Sequence, residues 1–208
     1  LFYWPVSYAQ ARAVLSEIPP FRTVLDLGSG PGPMAFAALD AGGREVICAD
    51  RSVRALDIAR ALASEAGESL GTREWSPQQP IPSGTYDLII MGHVINELFS
   101  GDIRRRSDFI EQVMKSLSPK GTLMIIEPAL RETSRALLSV RDVLVSRGYA
   151  VRAPCLYRGA CPALIKESDW CHAERDWEMP SLVETVARQV GLHKESLKMS
   201  YLAVAPKA

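Results

Sequence analysis

Long hydrophobic runs are missing from this chain. No apolar stretch approaches the ~20 residues that a membrane-spanning helix needs, which excludes a helical membrane protein and gives the expectation of no membrane partner. A basic start followed by a small-residue cleavage pattern is missing as well, so no secretory leader is expected within these residues. Neither sign of charge is in excess, with 24 Lys and Arg against 24 Asp and Glu. Overall charge therefore gives no steering toward nucleic acid, and such a partner has to meet a local patch. Cysteine is scarce, at four in 208 residues, and none of the gaps has the two-residue spacing of paired metal ligands. A small disulfide scaffold is thereby excluded. Apolar residues, in contrast, make up 47% of the chain, which excludes disorder and predicts one domain over residues 1–208. The first residues, Leu1-Phe2-Tyr3-Trp4, include no Met, so the native chain is expected to begin upstream.

Short β-rich apolar runs alternate with helical stretches, the pattern of a mostly parallel sheet covered on both faces, and seven strands are expected. A helix over Val6–Ile18 ends at Pro19-Pro20, and Thr23–Leu27 follows as a continuous apolar strand. Further strands are expected at Glu45–Ala49, Thr72–Trp75, Tyr86–Met91, Thr122–Ile126, Tyr149–Ala153 and Ser200–Ala205. Ser52 is placed to cap a helix carrying Leu56, Ala59 and Leu62, and amphipathic helices are expected over Ile103–Leu117 and Thr133–Arg147. A cysteine-rich insertion, residues 154–178, separates the sixth and seventh strands.

Asp26-Leu27-Gly28-Ser29-Gly30-Pro31-Gly32 joins the first strand to a helix, and its small residues let backbone approach a ligand at that helix N-terminus. Asp50 ends the second strand, where a carboxylate can accept from both ribose hydroxyls, so the ligand reads as a nucleoside. The competing readings are a tight turn without a ligand and, for Asp50, a cap on the next helix. Cys48 reads as a small buried hydrophobe. Cys155, Cys161 and Cys171 lie in a stretch broken by Pro154, Gly159 and Pro162, a loop whose thiolates could converge on a metal or an iron–sulfur cluster. His193 is a candidate fourth ligand, whereas His172 adjoins Cys171 too closely to share one ion with it. Unrelated thiols are the alternative.

An acid two residues before Gly28, the Gly28-x-Gly30-x-Gly32 spacing and the Ser118-Pro119-Lys120-Gly121 turn resemble class I S-adenosylmethionine-dependent methyltransferases. The resemblance implies a Rossmann-like α/β fold with seven strands, the last antiparallel. It implies S-adenosylmethionine bound by Asp26, Gly28, Ser29, Gly30, Gly32, Asp50, Arg51, Trp75 and His93, with Asp26 near the methionine amine, Asp50 on the ribose and adenine near Trp75. Packing is the other reading of Trp75. His93, Asn96 and Glu97 are implied to face the methyl group, Asn96 by hydrogen bonding to a base edge and Glu97 or His93 by taking a proton. Helix capping by Asn96-Glu97 and a strand-end role for His93 remain open beside that.

His93-Val94-Ile95-Asn96-Glu97-Leu98, Glu127-Pro128, Ala153-Pro154-Cys155, Cys161-Pro162, Trp170-Cys171-His172 and Ser200-Tyr201-Leu202-Ala203 narrow the resemblance. Together they are similar to the methyltransferase-like family associated with the small ribosomal subunit, known from bacteria and from mitochondrial ribosome assembly. That resemblance implies a [4Fe-4S] cluster on Cys155, Cys161 and Cys171, with zinc as the alternative. The family's fourth cysteine follows the Ser-Tyr-Leu-Ala strand, so the fourth ligand falls to an extension, His193, water or an outside group. The implied partner is the small ribosomal subunit or its rRNA, and the implied location is the bacterial cytoplasm, or the mitochondrion in a eukaryote. A non-catalytic assembly factor and a small-molecule methyltransferase are the rival functions; an Asn-Pro-Pro-Tyr motif of amino-group methyltransferases is absent. Arg104-Arg105-Arg106, and six arginines against Glu132 and Asp142 between Arg131 and Arg158, are candidate phosphate contacts or solvated helix faces.

Overall fold

The computed structural model describes residues 3–189, 191 and 196–207. In chain order the elements are α1 (Tyr3–Leu15), β1 (Thr23–Leu27), α2 (Pro33–Asp40), β2 (Glu45–Asp50), α3 (Val53–Glu65), β3 (Gly71–Glu74), β4 (Tyr86–Gly92), α4 (Ile103–Met114), β5 (Leu117–Pro128), α5 (Arg131–Ser146), β6 (Ala150–Ala153), β7 (Ala173–Asp176), α6 (Ser181–Gln189) and β8 (Ser196–Ala205). The described sheet has eight strands, in the order β3-β2-β1-β4-β5-β8-β6, with β7 paired to β8. Strands β3, β2, β1, β4 and β5 run parallel, and β8 enters antiparallel between β5 and β6. That makes a mixed sheet with one strand more than the seven expected.

The uninterrupted apolar strands are explained by what covers each face. Successive strand side chains point to opposite faces, so Val24, Leu88, Ile90, Met124 and Ile126 pack with Ala11, Val14, Met34 and Leu56 of α1 to α3. Leu25, Leu27, Ile89, Met91, Leu123 and Ile125 pack on the other face with Ile110, Val140 and Leu144 of α4 and α5. Each large side chain so buried contributes about 1.5–3 kcal/mol. The centre of the sheet is therefore rigid, and the carboxyl ends of β1, β2 and β4 open together beside the point where strand order reverses.

Departures from the sequence reading sit at element ends and in the insertion. Ser52 caps α3 as expected, its hydroxyl accepting from the Ala55 N–H at 3.2 Å. Helix α4 stops at Met114, and β5 starts at Leu117, running through Ser118–Gly121 with a register shift against β4. The insertion contains β7 and is followed by α6, neither of which the sequence reading anticipated.

Candidate functional site

The turn after β1 is held from three sides. Gly28 N–H and Ser29 N–H both donate to Ala49 O, at 2.7 and 3.2 Å, which ties the turn to β2. Asp50 Oδ2 accepts from Gly30 N–H and its Oδ1 from Ser52 N–H, both at 2.8 Å. Trp4 Nε1 donates to Pro31 O at 3.2 Å while its ring meets Phe36 edge-on, so α1 braces the turn. Sequence reasoning missed Trp4, which lies far from the turn along the chain.

Two glycines are forced by this geometry. Gly28 has φ of +73°, and a Cβ there would lie 2.4 Å from Val94 Cγ2. Gly30 has φ of +52° and opens onto empty space. Gly32 instead packs α2 closely, its Cβ position meeting Ala59 and Cys48 at 3.4 Å.

A cavity of about 510 Å³ opens at this turn, and its walls include Asp26, Gly28, Ser29, Gly30, Asp50, Arg51, Trp75, His93 and Glu97. Its size suits a nucleoside-bearing ligand. Of the implied cofactor residues, Gly32 is absent from those walls, consistent with its packing role; of the implied catalytic residues, Asn96 is absent. Trp75 is buried, donates Nε1–H to Pro80 O at 3.0 Å and stacks on Phe109, so it serves packing while one side bounds the cavity. Ser7, Met34 and Gly92, which the sequence reading did not single out, are also among the walls. At Gly92 a Cβ would lie 2.2 Å from Met34 Sδ, so a side chain there would have to push the end of Met34 aside.

Two groups on the cavity have unmet demands. Asp26 is 1% exposed and its Oδ2 lacks a hydrogen-bond partner among the described residues. Burial pushes its carboxyl up from 3.8 to about 7, with Asp50 adding to the rise and the Ala35 N–H opposing it. His93 sits at the tip of β4 with φ of +59°, a left-handed conformation costing on the order of 1 kcal/mol for a side-chain-bearing residue, and is pinned by its N–H to Ile126 O at 2.8 Å. Its Nδ1 is buried without a partner, and desolvation lowers its pKa, so the imidazole is held neutral.

Asn96 has a different task from presenting its amide to an acceptor. Its N–H donates to Glu127 Oε1 at 3.2 Å and its Nδ2 to Glu127 Oε2. Buried Arg106 donates Nη2–H to Asn96 O at 2.7 Å and Nε–H to Leu98 O at 3.0 Å. Burial raises the Glu127 carboxyl to about 6, partly countered by Asn96, the Ile95 N–H and Arg106. Glu127, Asn96 and Arg106 thus fix the 94–101 segment at the cavity mouth, while Glu97 stands exposed on its rim.

The expected arginine patch is largely consumed internally. Arg147 pairs with Asp108 and Glu111, Arg152 donates to Thr122 and Lys120 O, and Arg135 grips the cysteine loop. Arg106 is buried, while Arg104, Arg105, which lies over the Phe99 ring, Arg131 and Arg158 are exposed.

Cys155, Cys161 and Cys171 all line a second cavity, of about 280 Å³, between α5 and β8. They are near enough that Cys155 and Cys161 help raise the Cys171 thiol, after burial. Among the described residues no three His, Cys, Asp or Glu side chains converge tightly enough to hold one metal ion. His193 lies outside the described residues. Cys48 is buried, as expected of a core thiol.

The family of the mitochondrial small ribosomal subunit protein Rsm22 matches residues 3–208. The chain belongs to the Rsm22 family. No curated protein matches the sequence. Among solved structures, the Rsm22-family chain resembles magnesium protoporphyrin IX methyltransferase from Synechocystis with bound SAM, at 14% identity, 98% and 81% coverage of the two chains and a TM-score of 0.60. It also resembles precorrin-6y C5,15-methyltransferase from Geobacter metallireducens (17%, 95% and 87%, 0.57) and ribosomal protein L11 methylase from Lactobacillus delbrueckii (17%, 96% and 79%, 0.55). At these identities the likeness concerns the fold, which is that of class I methyltransferases. No helix among the described residues is long and apolar enough to cross a membrane.

Proposed function

We infer that this Rsm22-family protein binds S-adenosylmethionine at the ends of β1, β2 and β4 and is a methyltransferase acting on the small ribosomal subunit or its rRNA. Asp26 carries the reading: a buried carboxyl with a partnerless oxygen on a cavity wall can be satisfied as a carboxylate by a cation, and S-adenosylmethionine brings an ammonium and a sulfonium. Once bound, it supplies a methyl group activated by the sulfonium. Asp26 then holds the amino group, and Asp50, already fixed by Gly30 and Ser52, uses its remaining lone pairs for the ribose hydroxyls. Open space at Gly30 admits the ligand, Trp75 bounds the adenine side, and Arg51 and Ser29 complete the walls. His93, held neutral on the cavity wall, is the residue that takes the acceptor's proton, while Glu97 at the rim receives it or meets the acceptor. Transfer from a sulfonium asks mainly for alignment and exclusion of water.

Cys155, Cys161 and Cys171 share the wall of one cavity, which supports a [4Fe-4S] cluster on these thiols, with zinc as the alternative. The fourth ligand in this reading is His193 or a group outside the chain described. The cluster's role would be structural, fixing the segment between β6 and β7. Bacterial cytoplasm, or the mitochondrion in a eukaryote, is the compartment that follows from the family.

A non-catalytic assembly factor is the second reading, favoured by Asn96 being committed to Glu127 and so not presented to an acceptor base. Calorimetric titration with S-adenosylmethionine tests the first part: wild type binds, while Asp50→Ala and Gly30→Arg do not. Methyl incorporation into small-subunit rRNA tests the second. Incorporation lost in both variants supports catalysis; binding without incorporation moves the protein to the assembly reading, and wild type that fails to bind sinks the cofactor assignment.

A further inference from the structure

The glycine turn is rich in backbone N–H groups, yet the fold has already committed them. Gly28 and Ser29 donate to Ala49 O, Gly30 to Asp50 Oδ2 and Gly32 to Ser29 O, at 2.7 to 3.2 Å. Pro31 and Pro33 have no N–H to offer. Neighbouring wall residues are spent in the same way: Ser52 N–H on Asp50 Oδ1, Trp75 N–H on Asp50 O and Trp75 Nε1–H on Pro80 O. A phosphate cradle needs several N–H groups aimed at one anion. This turn lacks them, so an anionic group on the ligand has to be met by side chains.

Side-chain donors on the walls are few. The Ser29 hydroxyl donates to Gly30 O at 3.3 Å, and the Ser52 hydroxyl accepts from the Ala55 N–H. Arg51 follows Asp50 at the end of β2, and His93 stands at the tip of β4, the acceptor side in the reading above. Ser7 is different. It lies on α1, is 8% exposed and lines the cavity, and nothing among the described residues engages its hydroxyl. Trp4, one turn earlier on the same face of α1, fixes its placement by donating to Pro31 O just before α2. The first turn of α2 is also where Asp26 accepts the Ala35 N–H. Helix α1 thus brings a hydroxyl to the stretch of wall that holds the partnerless Asp26 oxygen. In an α-amino acid the carbon that bears the ammonium also bears a carboxylate, which is costly to desolvate unless it is hydrogen-bonded.

We propose that Ser7 is a ligand-binding residue whose hydroxyl donates to the carboxylate of an α-amino-acid end held by its ammonium on Asp26, so that α1 makes the cavity selective for a zwitterion. The proposal rests on the S-adenosylmethionine reading above and adds the residue that tells this ligand from relatives without the carboxylate. A neutral donor meeting an ionised acceptor is among the stronger hydrogen bonds, so the selectivity is large enough to measure.

The test is calorimetric titration of the whole chain, wild type and Ser7→Ala, with S-adenosylmethionine and with its decarboxylated analogue, which keeps the adenosine, the sulfonium and the ammonium. Wild type is expected to bind S-adenosylmethionine at least tenfold more tightly than the analogue. Ser7→Ala should weaken S-adenosylmethionine at least tenfold and leave the analogue within about threefold of wild type. Equal weakening of both ligands overturns the proposal, because it marks a packing role for Ser7, and so does weakening of neither. Circular dichroism checks that the variant folds; if it does not, Ser7→Cys, of similar size and with a much weaker donor, takes its place and is read by the same two outcomes. Wild type that binds both ligands equally overturns the proposal without any variant. Wild type that binds neither refutes the S-adenosylmethionine reading itself, a result read before any variant is compared.

Discussion

Asp26 gives the sharpest test of the cofactor site, because its burial links binding, stability and pH. Its ordinary value of 3.8 and its folded value of about 7 differ by the equivalent of about 4 kcal/mol, the cost of keeping the ionised carboxylate in the folded protein. The sign follows from proton counting. Between pH 3.8 and 7 the folded state holds a proton that the unfolded state has released, so stability falls as pH rises across that window. From pH 5 to pH 8 the loss is about 3 kcal/mol. Asp26→Asn removes the titration, so urea denaturation at the two pH values should show wild type weakening relative to the variant by roughly that amount. Taking the difference cancels Glu127, which titrates in the same direction, and His93, which titrates in the opposite one. Added S-adenosylmethionine should reverse the trend, stabilising wild type more at pH 8 than at pH 5 and stabilising the variant little at either. Parallel pH profiles for wild type and Asp26→Asn would refute the claim that burial governs this carboxyl.

Gly28→Ala should cost about 1–3 kcal/mol in urea denaturation and weaken S-adenosylmethionine binding at least tenfold by calorimetry, since the new Cβ meets Val94 Cγ2 at 2.4 Å under a left-handed backbone. Glu127→Ala strands the Asn96 donors and buried Arg106, and a loss of about 2–4 kcal/mol is expected by thermal or urea melting. Glu127→Gln keeps the shape and should flatten the fall in stability between pH 4.5 and about 6, worth about 2 kcal/mol in wild type; an unchanged profile would count against the raised value. Arg135→Met removes the grip on four loop carbonyls, so limited proteolysis within residues 156–169 should accelerate several-fold while the main melting transition moves by less than about 1 kcal/mol.

What was legible in the sequence followed from burial on two faces and from turn chemistry. β4 announced itself because Leu88, Ile89, Ile90 and Met91 are all fully buried, leaving no polar face to interrupt the run. The glycine turn was legible because Gly28 and Gly30 adopt a backbone that side-chain-bearing residues avoid. β7 was not, since Ala-Glu-Arg-Asp is short and half exposed; it pairs because β8 offers an edge and because Arg175 reaches Glu17 at 2.7 Å. Pairings such as Asn96 with Glu127 join residues of different elements, and no local pattern encodes them. The arginines misled for the same reason: counted along the chain, Arg135, Arg147 and Arg152 look like a patch, yet each is satisfied by partners the fold brings from elsewhere.

The eighth strand also explains how three separated cysteines come to share one cavity without a core of their own. β8 is longer than β6, so after Ala153 pairs with Ala203 the edge of β8 continues unpaired until Ala173 takes it up at Met199. Entry and exit of the 154–172 loop are thus four β8 residues apart, about 14 Å at the rise of an extended strand. With both ends fixed by the sheet and the middle fastened by Arg135 and Asp142, much of the entropy of closing that loop is already spent before any ligand arrives. In the cluster reading, a metal centre there would need to order side chains rather than fold a domain, in contrast to small zinc modules that are unfolded without their ion. In that reading, a chain without the centre should have a looser loop and an intact cavity at β1, β2 and β4, because none of Cys155, Cys161 and Cys171 lines that cavity.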